Sequence, residues 1–265
     1  MICSHFSRSL ILAVLALVPA AAHAQNIRVS VENLAPNQGT FLTPVWVGFH
    51  NGTFDLYNRG EAASPALERI AEDGSIAPLS AAFAASGAGT VDGAVFGNAI
   101  PPVMPGETAS AMFSVAPGSS MSRYFSYASM IIPSNDAFIA NGNPMAFEIF
   151  DASGNFIGAD FTVMGSMVLD SGTEVNDEIP ANTAFFGQSA PDTGVNENGV
   201  ILTHPGFNPV GSGGILDDPR FANADFRSPG YQVARIRVTA VPEPGTVALL
   251  VGIGVAGIAV RRRRK

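Results

Sequence analysis

Asp170-Ser171-Gly172-Thr173-Glu174, followed by Asp177 and Glu178, places four carboxylates within nine residues, directly after an apolar stretch closing on Val168-Leu169. Hard oxygen donors on a glycine-containing loop suit Ca²⁺, which takes six to eight oxygens, backbone carbonyls included, at about 2.3–2.6 Å. A turn at Gly172 would fold Asp170 and Glu174 toward one centre. The competing reading is a set of solvated acids at a strand end. Asp151, Ser153, Asn155 and Asp160 form a second oxygen-rich group that superficially resembles an EF-hand loop. It fails as one, because glycine stands at loop position four instead of six and Thr162 replaces the closing glutamate.

Other chemistry is sparse. The chain has no G-x-S-x-G elbow, no H-E-x-x-H, no phosphate-binding loop and no dinucleotide fingerprint. Of its histidines, His50 and His204 lie in the body of the chain, each beside turn formers (Asn51-Gly52 and Pro205-Gly206), with no nucleophile in a recognisable motif. Both therefore read as hydrogen-bonded loop or edge residues in preference to catalytic bases. The one cysteine, Cys3, lies in the leader described below, so disulfides and cysteine chemistry are excluded from the mature chain.

The elements that must position these residues are mostly strands. Ile27–Glu32 alternates apolar and polar with period two, as does Tyr231–Thr239, where Val233, Ile236 and Val238 interleave with Arg235, Arg237 and Thr239. Further strands are expected over 44–49, 108–115, 123–132 and 145–150, with a hairpin tip at Asp151–Asn155 between Phe150 and Phe156. One helix is expected over 64–72. Ser64 caps it, Pro65 occupies its first position and Gly74 follows its end; Glu68 comes one residue too late for a capping box but favours the N-terminus by its charge. The stretch 189–219 is a long loop region rich in Gly, Asn, Asp and Pro. Many short strands, one helix and frequent turn signals predict an all-β antiparallel sandwich in one domain.

Both ends of the chain carry processing signals. Arg8, the apolar run Leu10–Leu17 and Ala22-His23-Ala24 make a leader over residues 1–24, cut between Ala24 and Gln25. At the other end stand Pro242-Glu243-Pro244, an uncharged apolar run of fifteen residues from Thr246 to Val260, and then Arg261, Arg262, Arg263, Arg264 and Lys265. Cations directly behind an apolar run form a stop-transfer signal. The run falls below the roughly 17–25 residues of a comfortable span and holds Gly252, Gly254 and Gly257, so it suits a temporary transmembrane helix during export. An ordinary single-span anchor is the alternative. Setting aside these ends, residues 25–240 hold 21 acids against 8 bases, all arginine, near −13 in net charge. Such a surface repels nucleic acid and anionic lipid and favours divalent cations or basic partners.

Two resemblances add to this. The tail over 241–265 resembles the PEP-CTERM sorting signal of Gram-negative bacteria, with Pro242-Glu243-Pro244, the hydrophobic run and the arginine cluster in order. The resemblance implies an exosortase-type processing enzyme as partner, a membrane-anchored precursor, and delivery to the cell surface or an exopolysaccharide matrix. The body over 25–240 resembles the spondin N-terminal domain. The matching segments are Trp46-Val47-Gly48-Phe49-His50-Asn51, the helix ending in Gly74-Ser75, Phe113-Ser114-Val115, Met130-Ile131-Ile132-Pro133-Ser134-Asn135-Asp136, Asp170-Ser171-Gly172-Thr173-Glu174, His204-Pro205 and Gln232-Val233-Ala234-Arg235. What it implies is a C2-like antiparallel β-sandwich with a bound cation, generally calcium, at one end. Asp170 and Glu174 would be ligands and Asp136 a weaker one. Glutamate stands where the family has a second aspartate, and Met112 where it has an acid before the F-S-V segment, with Glu107 the nearest acid upstream. The function expected is non-catalytic adhesion or matrix interaction with exopolysaccharide or surface proteins. A secreted polysaccharide hydrolase using two carboxylates, or a purely structural matrix component, are the alternatives.

Overall fold

A computed structural model describes residues 24–116 and 120–242. Its strands are β1 (Gln25–Asn33), β2 (Phe41–Leu42), β3 (Val45–His50), β4 (Gly89–Val95), β5 (Thr108–Val115), β6 (Tyr124–Ile132), β7 (Ala137–Ala140), β8 (Ala159–Met164), β9 (Leu169–Asp170), β10 (Leu202–Thr203) and β11 (Gln232–Ala240); helices α1 (Pro65–Asp73) and α2 (Ala77–Ser86) lie between β3 and β4. They form two antiparallel sheets. One has the order β5-β1-β11-β8; the other runs β10-β9-β7-β6-β3-β4, with β2 paired to β6. The fold is the all-β sandwich the turn pattern predicts.

The first sheet is built from period-two strands. In β1, Ile27, Val29 and Val31 are buried, and Val29 and Val31 stand opposite Val238 and Ile236 of β11. The other face of this sheet is polar, where Arg235 pairs with Asp160 and Arg237 with Glu32. The second sheet is covered on both sides. Every residue of β3 is buried. Val45, Val47 and Phe49 enter the inter-sheet core, while Trp46 points the opposite way into a second core made with Leu67, Ile70, Leu79 and Phe83. Trp46 Nε1 donates to Ser80 Oγ at 3.1 Å and Asp92 Oδ2 at 3.0 Å, so its buried N–H is satisfied. The molecule therefore has three layers: sheet, sheet and a helical pair.

Two expectations need correction. The single helix is a pair. α1 forms as its signals predict: Leu67 N–H donates to Ser64 Oγ at 3.2 Å, and Gly74, at φ 63°, closes the end by donating to Ile70 O at 2.9 Å. α2 has no side-chain cap, since Ile76 precedes it, and its apolar residues are spread round the helix instead of forming a stripe. Propensity and packing on Trp46 hold it, neither of which leaves a periodic signal. The expected strand over 145–150 is also absent as a ladder. Met145 lies in a turn closed by Asn143, and the segment joins its neighbours through isolated bridges, Tyr124 with Glu148 and Phe150 with Phe156, and scattered backbone hydrogen bonds such as Gly158 N–H to Ile149 O. The hairpin tip at Asp151–Asn155 is present: Asp151 N–H donates to Asn155 O at 2.9 Å.

The leader and most of the tail lie outside the described residues, including Glu243, Pro244, the run 246–260 and Arg261 to Lys265. Among the described residues no helix is long and apolar enough to cross a membrane. β1 begins at Gln25, directly after exposed Ala24, and β11 ends at Ala240, directly before exposed Pro242. Val241 N–H still donates to Asn26 O at 2.8 Å. The sandwich thus spans the body expected between the two terminal signals.

Candidate metal centre

The acidic loop emerges from β9 and wraps around a carboxylate that arrives from another strand pair. Asp136 sits in the turn between β6 and β7, fully buried. Its Oδ2 accepts hydrogen bonds from Thr173 N–H at 2.9 Å, Glu174 N–H at 3.1 Å and Ser171 Oγ–H at 2.8 Å. Asp170 accepts from Gly172 N–H at 2.7 Å, and Gly172 takes a φ of 68° that favours glycine. The turn expected at Gly172 therefore forms, with Asp136 as the object it folds around. Asp136, the weaker of the three residues singled out, is the hub.

Electrostatics mark the same place. Burial, and then the neighbouring Asp170, push the Asp136 carboxyl up to about 7. Burial first, then Glu72, with smaller contributions from Asp136 and Asp192, raise Glu174 to about 7. Asp136 Oδ1 and Glu174 Oε2 are buried and have no hydrogen-bond partner. A buried carboxylate oxygen without a donor is costly, which makes each of these a natural place for a cation. Glu174 Oε1 accepts from Gly194 N–H at 2.9 Å, an approach so close that a Cβ on Gly194 would stand 2.0 Å from Glu174 Cδ.

Asp170 and Glu174 belong to different close groups of ligand atoms. Ligand atoms of Asp136, Asp170 and His204 lie within 4.8 Å of one another, and those of Glu72, Glu174 and Asp192 form a separate group with the same spacing. His204 is not free to ligate. Its Nδ1 accepts from Gly206 N–H at 3.0 Å, which puts the proton of the neutral ring on Nε2, and Nε2–H donates to Asn176 Oδ1 at 3.0 Å. Asn176 Nδ2 in turn donates to Asp170 Oδ2 at 2.6 Å. The chain His204–Asn176–Asp170 orients a carboxylate, as partners behind a ligand do. Burial lowers His204 to about 4, which keeps the ring neutral.

The remaining acids divide by role. Asp177 accepts from Ile179 N–H and Asn182 Nδ2, and Glu178 accepts from the backbone of Asn208 and Ile215. These two fasten loops, Asp177 also accepting from Asn135 Nδ2 at 3.3 Å. Asp151 accepts from the N–H groups of Ser153 and Asn155 in its own turn, and Asp160 is held by Arg235. Glu107 accepts from Met104 N–H at 2.8 Å, and Met112 is exposed on β5. His50 repeats the pattern of His204: Nδ1 accepts from Gly52 N–H at 3.0 Å, Nε2 bonds Ser126 Oγ at 2.8 Å, and burial lowers it to about 4.

Three contributors could not be seen in the sequence. Glu72, at the end of α1, is buried, and burial raises its carboxyl. Asn176 and Asp192 sit in irregular segments whose side-chain directions carry no periodic signal. Beside this end of the molecule lies a cleft of about 490 Å³ lined by Arg69, Asp73, Phe185, Gln188 and Pro191. Phe185 holds a φ of 64°, uncommon for a bulky residue, and is 45% exposed.

Comparison with known proteins gives two family matches. Residues 35–174 match the Spondin_N family, a span that closes on Glu174 itself, and residues 240–264 match the PEP-CTERM protein-sorting motif. No curated protein matches the chain.

Proposed function

The chain belongs to the Spondin_N family, and from that premise we propose that it is a surface interaction protein whose sandwich holds a calcium ion at its acidic end. The coarser part stands on the motifs: this is an exported protein with an exosortase sorting signal, directed through a membrane-anchored stage to the cell surface. The finer part, calcium and adhesion, is carried by one observation. Asp136 Oδ1 and Glu174 Oε2 are buried carboxylate oxygens with no donor, in a centre whose donors are all oxygen. Asp136, Asp170 and Glu174 would hold the ion, which when bound supplies positive charge to that centre. The residues themselves do the rest: Asp136 draws the backbone of Thr173 and Glu174 inward, and Asn176 fixes the direction of Asp170.

Adhesion or matrix interaction is favoured over polysaccharide hydrolysis by the burial of these carboxylates. An acid–base pair in a glycosidase stands roughly 5–10 Å apart across a groove that admits the sugar. Here Asp136 and Glu174 lie beneath their loop, and the neighbouring cleft is lined instead by Glu68, Gly172, Thr173, Asn196, Asn198 and Gly199. A partner such as exopolysaccharide or a surface protein would meet this end through the cleft beside Arg69 and Phe185.

Fractionation of cells with and without the sorting enzyme tests the reading. With the enzyme, the protein is expected in the surface fraction and to be released by a calcium chelator; without it, the protein stays in the inner membrane. Retention in the inner membrane of both strains, or a surface fraction indifferent to chelation, contradicts it.

A further inference from the structure

The acids around Asp136 extend beyond the three carboxylates of the calcium reading. Asp136, Asp170 and Glu174 are joined by Glu72, Asp73 and Asp192, and among the described residues the one cation bonded to this group is Arg69. Arg69 is already shared three ways: it reaches Glu72 Oε2 at 3.2 Å and Asp192 Oδ2 at 3.5 Å, and it contacts Asp73. Glu174 receives nothing from it. Six carboxylates thus share one guanidinium, which leaves an excess of negative charge there when they ionise.

The geometry supplies a place for a second ion. One carboxylate oxygen each from Glu72, Glu174 and Asp192 lies within 4.8 Å of the other two. Oxygens at that spacing can share a centre at the roughly 2.3–2.6 Å distances calcium adopts. Glu174 is only 2% exposed, and its Oε2 is without a donor, which is independent of the acidic composition of the group. Three elements converge here: Glu72 from the last turn of α1, Glu174 from the loop after β9, and Asp192 from the long irregular region. The Asp192 side chain is 71% exposed, so the position opens to solvent where Asp136 does not.

We propose a second divalent-cation position formed by Glu72, Glu174 and Asp192, sharing Glu174 with the first and pinning helix α1 to the loops. It rests on the calcium reading above only in that shared ligand, and the two are separable. Bound calcium is counted on the purified full-length protein in detergent, by equilibrium dialysis and elemental analysis. Two ions per chain are expected in the wild type. Glu72→Gln and Asp192→Asn should each leave one, and Asp170→Asn should leave one of the other kind. Asp192 is exposed, so Asp192→Asn carries the test if Glu72→Gln fails to fold.

One ion in the wild type, lost in Asp170→Asn and kept in Asp192→Asn, overturns the second position and leaves the first standing. One ion that survives Asp170→Asn and is lost in Asp192→Asn supports the second position and overturns the first. No bound ion overturns both.

Discussion

Replacing Asp136 by asparagine should raise stability without calcium and cancel or reverse that gain with it. Asp136 Oδ2 accepts from Ser171 Oγ–H, Thr173 N–H and Glu174 N–H, with a longer contact from Thr173 Oγ1, bonds that an asparagine carbonyl oxygen retains in part, while its Oδ1 has no partner. An amide nitrogen in place of Oδ1 removes a buried charge beside Asp170. Burial and Asp170 hold the Asp136 carboxyl at about 7 against an ordinary 3.8, about 3 pH units. At about 1.4 kcal/mol per unit, ionising it at neutral pH costs up to roughly 4 kcal/mol, and relaxation reduces this to about 1–3 kcal/mol. Because the folded pKa is raised, the folded state binds a proton between about pH 4 and 7 that the unfolded state has released. Calcium-free wild type therefore loses stability as pH rises through that window, and Asp136→Asn should lose less. Calcium at a hundred times its dissociation constant stabilises the wild type by about 2.7 kcal/mol, a gain the variant forgoes. Urea unfolding at pH 5 and 7, in chelator and in calcium, resolves the four cases. A variant less stable than wild type in chelator at pH 7, or one stabilised by calcium as much as wild type, refutes the reasoning.

Three further outcomes follow from single contacts. Gly194→Ala drives a Cβ to 2.0 Å from Glu174 Cδ, so it should cost about 1–3 kcal/mol in unfolding experiments and weaken calcium binding at least tenfold by calorimetry. Asn176→Ala breaks the link from His204 to Asp170 and should lower calcium affinity by about 10–100-fold with little change in far-ultraviolet dichroism. Glu178→Ala removes the acceptor for the backbone of Asn208 and Ile215 and should expose residues 205–217 to limited proteolysis, with a stability loss of about 1–3 kcal/mol and calcium binding largely kept.

The strands legible in the sequence were those that face solvent on one side. Ile27–Glu32 and Tyr231–Thr239 show period two because one face of their sheet is wet. β7, wholly buried between the inter-sheet core and the helices, shows no alternation, and neither does β3, which turn punctuation and apolar content nevertheless revealed. α2 was illegible because it lacks both a polar cap and an apolar stripe. Of the site, the Gly172 turn could be read locally, since an aspartate accepting from an N–H two residues on needs only short-range geometry. The division of labour among the acids could not. Asp177 and Glu178 look like Asp170 and Glu174 in composition, and only the positions of Asn182, Asn208 and Ile215 turn them into loop fasteners. Likewise Glu72 reads as an ordinary acid near a helix end until the fold buries it against Glu174.

Calorimetric titration of calcium into the purified protein, comparing wild type with Asp170→Ala/Glu174→Ala, tests the central claim most directly. Saturable binding in the wild type that disappears in the double variant is the result this structure predicts. No binding in the wild type, or equal binding by both proteins, contradicts a cation centre at the acidic end of the sandwich.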